Sequence, residues 1–156
     1  MSVLKDFRFE VDVDHATGRT VRLTAPGKPE LEIATPPEFR GGVANVWSPE
    51  DLLVAAVATC YALTLAAVFE RRALPLRELS IVGAGHMMKR ADGGFGFVVV
   101  ELGVTLTTDE GRENEAQKAA RAAEAACLVA NALAVPVEVE LELRTKPAGV
   151  PALAAL

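Results

Sequence analysis

The sequence predicts an α+β fold built from largely antiparallel sheets and two long helices. Three observations carry that expectation. Residues 7–13 alternate apolar and polar side chains, with Phe7, Phe9, Val11 and Val13 set against Arg8, Glu10 and Asp12, the period of a half-buried strand. A nearly continuous apolar run over residues 52–69 follows a strong helix-start signal. The segments read in the order β-β-β-α-β-β-α-β, in which strands come in groups rather than alternating regularly with helices.

The elements follow in chain order. Residues 14–19 combine Asp, His, Thr and Gly, a turn composition, so residues 20–24 return as the second strand of a hairpin. Leu31 and Ile33 flank Glu32 in a short third strand. Residues 35–47 hold Pro36, Pro37, Gly41, Gly42 and Asn45 and read as a long loop, a class often reserved for function. Ser48 is a good N-cap, Pro49 fits the first helical position, and Glu50 and Asp51 suit the positive end of the helix dipole. Arg71 and Arg72 then close the helix and Pro75 prevents its continuation. Its apolar run touches the length that spans a bilayer. The alanine content, Thr59, Cys60, Thr64 and the two leading carboxylates point instead to a helix surrounded by protein. Residues 79–90 and 95–107 form two longer strands around the turn Ala91-Asp92-Gly93-Gly94. Residues 113–133 read as a second long helix, charged first and alanine-rich later, and residues 135–143 as a last strand with one wet, glutamate-bearing face. The tail from residue 146 looks irregular, with Leu153 and Leu156 as contacts between subunits.

At 156 residues the chain is expected to be one domain. Apolar residues make up 51% and charged residues 24%, a globular balance. The net charge of −5 argues against a nucleic-acid partner. The charged N-terminus has no secretory apolar segment, so the expected location is the cytoplasm. The histidines, His15 and His86, stand in no zinc-ligand spacing. Neither a GxSxG elbow nor a phosphate-binding glycine loop occurs.

Each long helix carries one cysteine, Cys60 and Cys127. In a reducing compartment such a pair is buried filler, a metal pair or a redox couple. On the first helix Ala56, Val57, Leu63 and Thr64 share the face of Cys60; on the second, Ala123, Glu124, Ala130 and Asn131 share that of Cys127. Helices usually pack about 8–10 Å apart, whereas a disulfide needs Cα atoms about 4.4–6.8 Å apart, and small neighbours make that approach reachable.

The residues around these cysteines resemble a known family. Ser48-Pro49-Glu50-Asp51-Leu52-Leu53, followed by Ala55-Ala56-Val57-Ala58-Thr59-Cys60-Tyr61, is similar to the first cysteine motif of the OsmC/Ohr family, the osmotically inducible and organic hydroperoxide resistance proteins. That motif reads Asn-Pro-Glu-Glu-Leu-Leu and then an alanine-rich run ending in Cys-Tyr or Cys-Phe. Cys127-Leu128-Val129-Ala130-Asn131-Ala132-Leu133 resembles the second motif, Cys-Pro-Val-Ser-Asn-Ala-Leu. Phe39-Arg40-Gly41-Gly42 looks like the family's loop before the first helix.

The resemblance implies an intertwined homodimer of OsmC/Ohr-like domains, with antiparallel sheets around two long central helices. It implies a thiol-dependent peroxidase acting on organic hydroperoxides, with Cys60 as the peroxidatic thiol and Cys127 resolving its sulfenic acid as a disulfide. Glu50 matches the family glutamate that pairs with an arginine beside the thiolate. Arg19 is the best match for that arginine, with Arg22 and Arg40 as rivals. An external dithiol is the implied reductant; no metal, flavin or haem is implied, and neither a membrane nor a nucleic acid is an implied partner. Two departures stand out, Leu128 for the family proline and Ala130 for its serine. Glu50 lies ten residues before Cys60, about 15 Å along a straight helix, so it would act through the arginine. The alternative from a different class is a small-molecule-binding dimer of the same fold with inert buried cysteines.

Overall fold

The computed structural model describes residues 5–149; Leu153 and Leu156 lie outside the described residues. The chain forms two compact units, Met1–Leu52 and Leu53–Leu156.

In the first unit, strands β1 (Asp12–Thr17), β2 (Thr20–Thr24) and β3 (Leu31–Ala34) form an antiparallel sheet in that order. The boundary of β1 differs from the sequence expectation at both ends. Residues 7–11 keep their alternation yet belong to no strand, and Phe9 is 92% exposed. Asp14 and His15, expected in the turn, are paired with Arg22 and Val21. Backbone pairing does not require apolar side chains, and the chain reverses only at Gly18 and Arg19, where Gly18 adopts φ 55°. The loop after β3 is organised by Phe39 N–H to Pro36 O (3.0 Å), Gly42 N–H to Phe39 O (2.9 Å) and Val43 N–H to Thr35 O (2.9 Å). It returns beside β3, where Ala34 N–H donates to Trp47 O at 2.8 Å.

Helix α1 (Pro49–Arg71) starts at a reciprocal cap. Asp51 N–H donates to Ser48 Oγ (3.1 Å), and Ser48 N–H returns a bond to Asp51 Oδ2 (2.9 Å). The helix is long and apolar enough to cross a membrane by length and composition alone. Its Val57, Tyr61, Leu65, Val68 and Phe69 are buried in the core of the second unit, at the three- and four-residue spacing of one helical face. Ala56, Thr59, Leu63 and Ala67 are exposed on another face.

The second unit continues with β4 (Glu78–Lys89), β5 (Phe95–Asp109), α2 (Glu113–Ala126), α3 (Leu128–Asn131) and β6 (Val137–Lys146). Strands β4 and β5 form the expected hairpin, closed by Gly93 N–H to Arg90 O (2.9 Å) with Gly93 at φ 85°. Strand β6 pairs with β5 in parallel, a departure from the antiparallel arrangement expected. The α2–α3 segment is the crossover that such a pair needs. The expected helix over residues 113–133 is also interrupted, ending at Ala126 and resuming at Leu128.

The core joins the α1 face to Val100, Leu102, Val104 and Leu106 of β5 and to Ala116, Ala119, Ala120 and Ala123 of α2. Each large apolar side chain buried here contributes about 1.5–3 kcal/mol. The alanines let α2 approach closely. On β4, a Cβ at Gly83 would stand 2.9 Å from Val54 Cγ1, so the strand is bare where α1 packs on it.

Candidate functional site

The interruption at Cys127 builds the site. Cys127 adopts φ −69° and ψ 104°, an extended conformation between two helical segments. Its own N–H donates to Glu124 O (3.3 Å), and its carbonyl accepts from Asn131 N–H (3.0 Å). The N–H groups of the first residues of a helix have no intrahelical acceptor. Here those of Leu128 and Val129 face the Cys60 sulfur.

Cys60 and Cys127 are brought together as free thiols, Cys60 half-buried and Cys127 buried. Their acidities are driven apart. Burial pushes Cys60 up, but the Val129 N–H, the Cys127 thiol, the Thr64 hydroxyl and the Leu128 N–H together hold it below the ordinary thiol value. Cys127 is pushed above that value by burial, against the opposing pull of the Ala130 and Val129 N–H groups, and by the sulfur of Cys60 beside it. Thr64 lies on the Cys60 helix face as its spacing predicts. The Cys127 environment is not the continuous helix face expected, because the chain turns at the cysteine itself.

Tyr61 is buried next to Cys60, with its hydroxyl 3.5 Å from the Ala120 carbonyl. Burial, together with the charges of Glu124 and Cys127, pushes its phenol up to about 12. A cavity of about 360 Å³ opens beside Cys127, bounded by Tyr61, Cys127, Leu102, Glu124, Asn131 and Val137.

Arg19 and Glu50 belong to the other unit. Arg19 sits in the β1–β2 turn with its side chain across Gly41, where a Cβ would lie 3.2 Å from its Cδ and Nε. Glu50 Oε2 is buried and has no hydrogen-bond partner among the described residues. No ion pair joins the two among the described residues. Of the rival arginines, Arg22 pairs with Glu30 at 3.5 Å, and Arg40 is exposed in the loop.

One contributor went unforeseen in sequence: the backbone N–H of Leu128 carries no side-chain signature. Asn131 was expected on the Cys127 face, but not that its Nδ2 would donate to the Ala125 carbonyl at 3.0 Å.

Known proteins show the same architecture. The family model described as OsmC-like protein matches residues 42–142. The uncharacterized protein YmaD of Bacillus subtilis is 30% identical over 117 residues, which is 72% of this chain and 77% of that protein. An OsmC-like protein of unknown function from Vibrio cholerae superposes with a TM-score of 0.79 at 16% identity, covering 88% of this chain and all of that one (100%). The organic hydroperoxide resistance protein OhrB of Bacillus subtilis superposes with a TM-score of 0.62 at 25% identity, covering 87% of this chain and 98% of that one.

Proposed function

Because the chain belongs to the OsmC-like protein family, we propose that it is a thiol-dependent peroxidase that reduces organic hydroperoxides in the cytoplasm as part of an oxidative stress response. The observation that carries the proposal is the pair of free thiols standing side by side, Cys60 half-buried and Cys127 buried. A peroxidatic cysteine must be thiolate at working pH, and its resolving partner must lie within disulfide reach.

In the proposed cycle the Cys60 thiolate attacks the distal oxygen of the hydroperoxide. The O–O bond breaks, the alkoxide leaves and takes a proton as an alcohol, and Cys60 becomes a sulfenic acid. The Cys127 sulfur then attacks the Cys60 sulfur, hydroxide departs as water, and a disulfide forms. An external dithiol returns the pair to thiols. Arg19 is the proposed source of positive charge for the thiolate and the peroxide, and Glu50 the carboxylate that would hold its guanidinium in the working form. The orphaned Glu50 oxygen supports this, as does the existing pairing of Arg22 with Glu30. The working form is a homodimer: the apolar α1 stripe around Leu63 (72% exposed) is a surface that a second copy would cover.

A second reading, a binding protein with inert cysteines, draws on the cavity beside Cys127. Peroxide turnover by variants separates the two. Cys60→Ser abolishes turnover, whereas Cys127→Ser still forms a dimedone-trappable sulfenic acid on Cys60. Unaltered turnover in Cys60→Ser overturns the peroxidase.

A further inference from the structure

We propose that Asn131 is a positioning residue for the reactive thiol: its side-chain amide holds the chain break at Cys127 that aims the Leu128 and Val129 N–H groups at the Cys60 sulfur.

In an uninterrupted helix the Leu128 N–H would bond the Glu124 carbonyl and the Val129 N–H the Ala125 carbonyl. Both acceptors are occupied by something else. Glu124 O takes the N–H of Cys127 at 3.3 Å, and Ala125 O takes Asn131 Nδ2 at 3.0 Å. The side chain of Asn131 thus stands in for the backbone donor that Ala125 would otherwise claim, and both N–H groups are left to the sulfurs, that of Leu128 facing Cys60 and that of Val129 shared between Cys60 and Cys127. Asn131 is fixed for this task by its own N–H, which bonds the Cys127 carbonyl at 3.0 Å and closes the single turn α3. Carbonyls left unpaired at a helix end favour resumption of the helix, and a side-chain donor removes that tendency. No proline or glycine enforces the break, since Ala126, Cys127, Leu128 and Val129 can all continue a helix. The titratable neighbours of the pair are Tyr61 and Glu124; Asn131 itself carries no charge.

The inference rests on the peroxidase reading for the role of Cys60, but thiol acidity is measured without any peroxide, so the two fail separately. The experiment uses full-length Cys127→Ser protein, which leaves Cys60 as the one thiol. The pH profile of iodoacetamide alkylation is compared for Asn131, Asn131→Leu and Asn131→Gln. In Asn131→Leu the midpoint rises by about one pH unit; well below it the rate falls only about threefold, because a less acidic thiolate is the better nucleophile. The longer amide of Asn131→Gln recovers part of the shift. An unchanged midpoint in a folded Asn131→Leu protein overturns the proposal. Should that variant not fold, amide proton shifts are followed by NMR in the Cys127→Ser protein with Asn131 intact. The Leu128 and Val129 amides and the Asn131 side-chain amide then move through one midpoint, that of Cys60. An Asn131 amide that stays fixed while the other two titrate overturns the coupling.

Discussion

Cys60 and Cys127 stand side by side with opposed acidities: Cys60, faced by two backbone N–H groups and the Thr64 hydroxyl, is held below the ordinary thiol value, while Cys127 is buried and pushed above it. Backbone N–H groups beyond the break face both sulfurs, Leu128 and Val129 toward Cys60 and Val129 and Ala130 toward Cys127; the asymmetry arises because Cys127 is the more deeply buried and has the Cys60 sulfur against it.

That asymmetry fixes an order of reaction. At neutral pH a larger fraction of Cys60 than of Cys127 is thiolate, and Cys60 is also the more accessible. Limiting iodoacetamide on the reduced protein therefore labels Cys60 first, and peptide mass spectrometry reads the site. Equal labelling, or Cys127 first, contradicts the assignment of roles.

The phenol of Tyr61 makes stability pH-dependent in the alkaline range. Its folded value of about 12 exceeds its ordinary value of 10.0. Above about pH 10 the unfolded chain loses this proton while the folded one retains it, so stability falls as pH rises and the loss is complete near the folded value. The total is about 2–3 kcal/mol for two pH units. Tyr61→Phe abolishes this part of the decline, measured by urea denaturation across the window. Because the chain has one tyrosine, tyrosinate absorbance reports the site directly.

Gly42 is required by close approach rather than by a turn angle. A Cβ there would stand 2.0 Å from the Pro36 carbonyl oxygen and 2.8 Å from Pro37 Cα. Gly42→Ala therefore forces the loop backbone apart and costs about 1–3 kcal/mol, read from denaturant midpoints. The same loop carries Gly41 beneath the Arg19 side chain, so peroxide turnover in this variant falls by more than its loss of folded protein accounts for. Wild-type stability in Gly42→Ala contradicts the packing.

Leu128 occupies the first position of α3 and is 80% exposed. Proline suits such a position, where no intrahelical bond is lost. Leu128→Pro folds normally, but it deletes one of the N–H groups facing Cys60. The alkylation midpoint of Cys60 rises by a few tenths of a pH unit. A lowered midpoint contradicts the role given to that N–H.

Much of this was legible in the sequence where local and tertiary preferences agree. Ser48 announces the start of α1 as its N-cap, and the structure uses it so; Asp51, expected there as a charge at the helix dipole, also returns a bond to the Ser48 N–H. The glycine turn between β4 and β5 is equally local. The parallel partner of β6 was not legible, because its alternation of valine and leucine with glutamate reports which face is wet and says nothing about which strand lies alongside. The break at Cys127 was hidden for a related reason. Its residues all favour helix, and what stops them is a side-chain bond from Asn131 and a sulfur contributed by another helix. Residues 7–11 show the converse, a strand pattern with no pairing strand among the described residues. The association of Cys60 with Cys127 was readable through the resemblance of their motifs, whereas the difference between them follows from geometry.

The most direct test of the central claim is a thiol count. Reduced protein is mixed with one equivalent of cumene hydroperoxide, and free thiols are followed over seconds, with peptide mapping of the product. Both thiols are lost rapidly and an intramolecular Cys60–Cys127 disulfide forms. Two thiols that persist in the folded protein would contradict that claim.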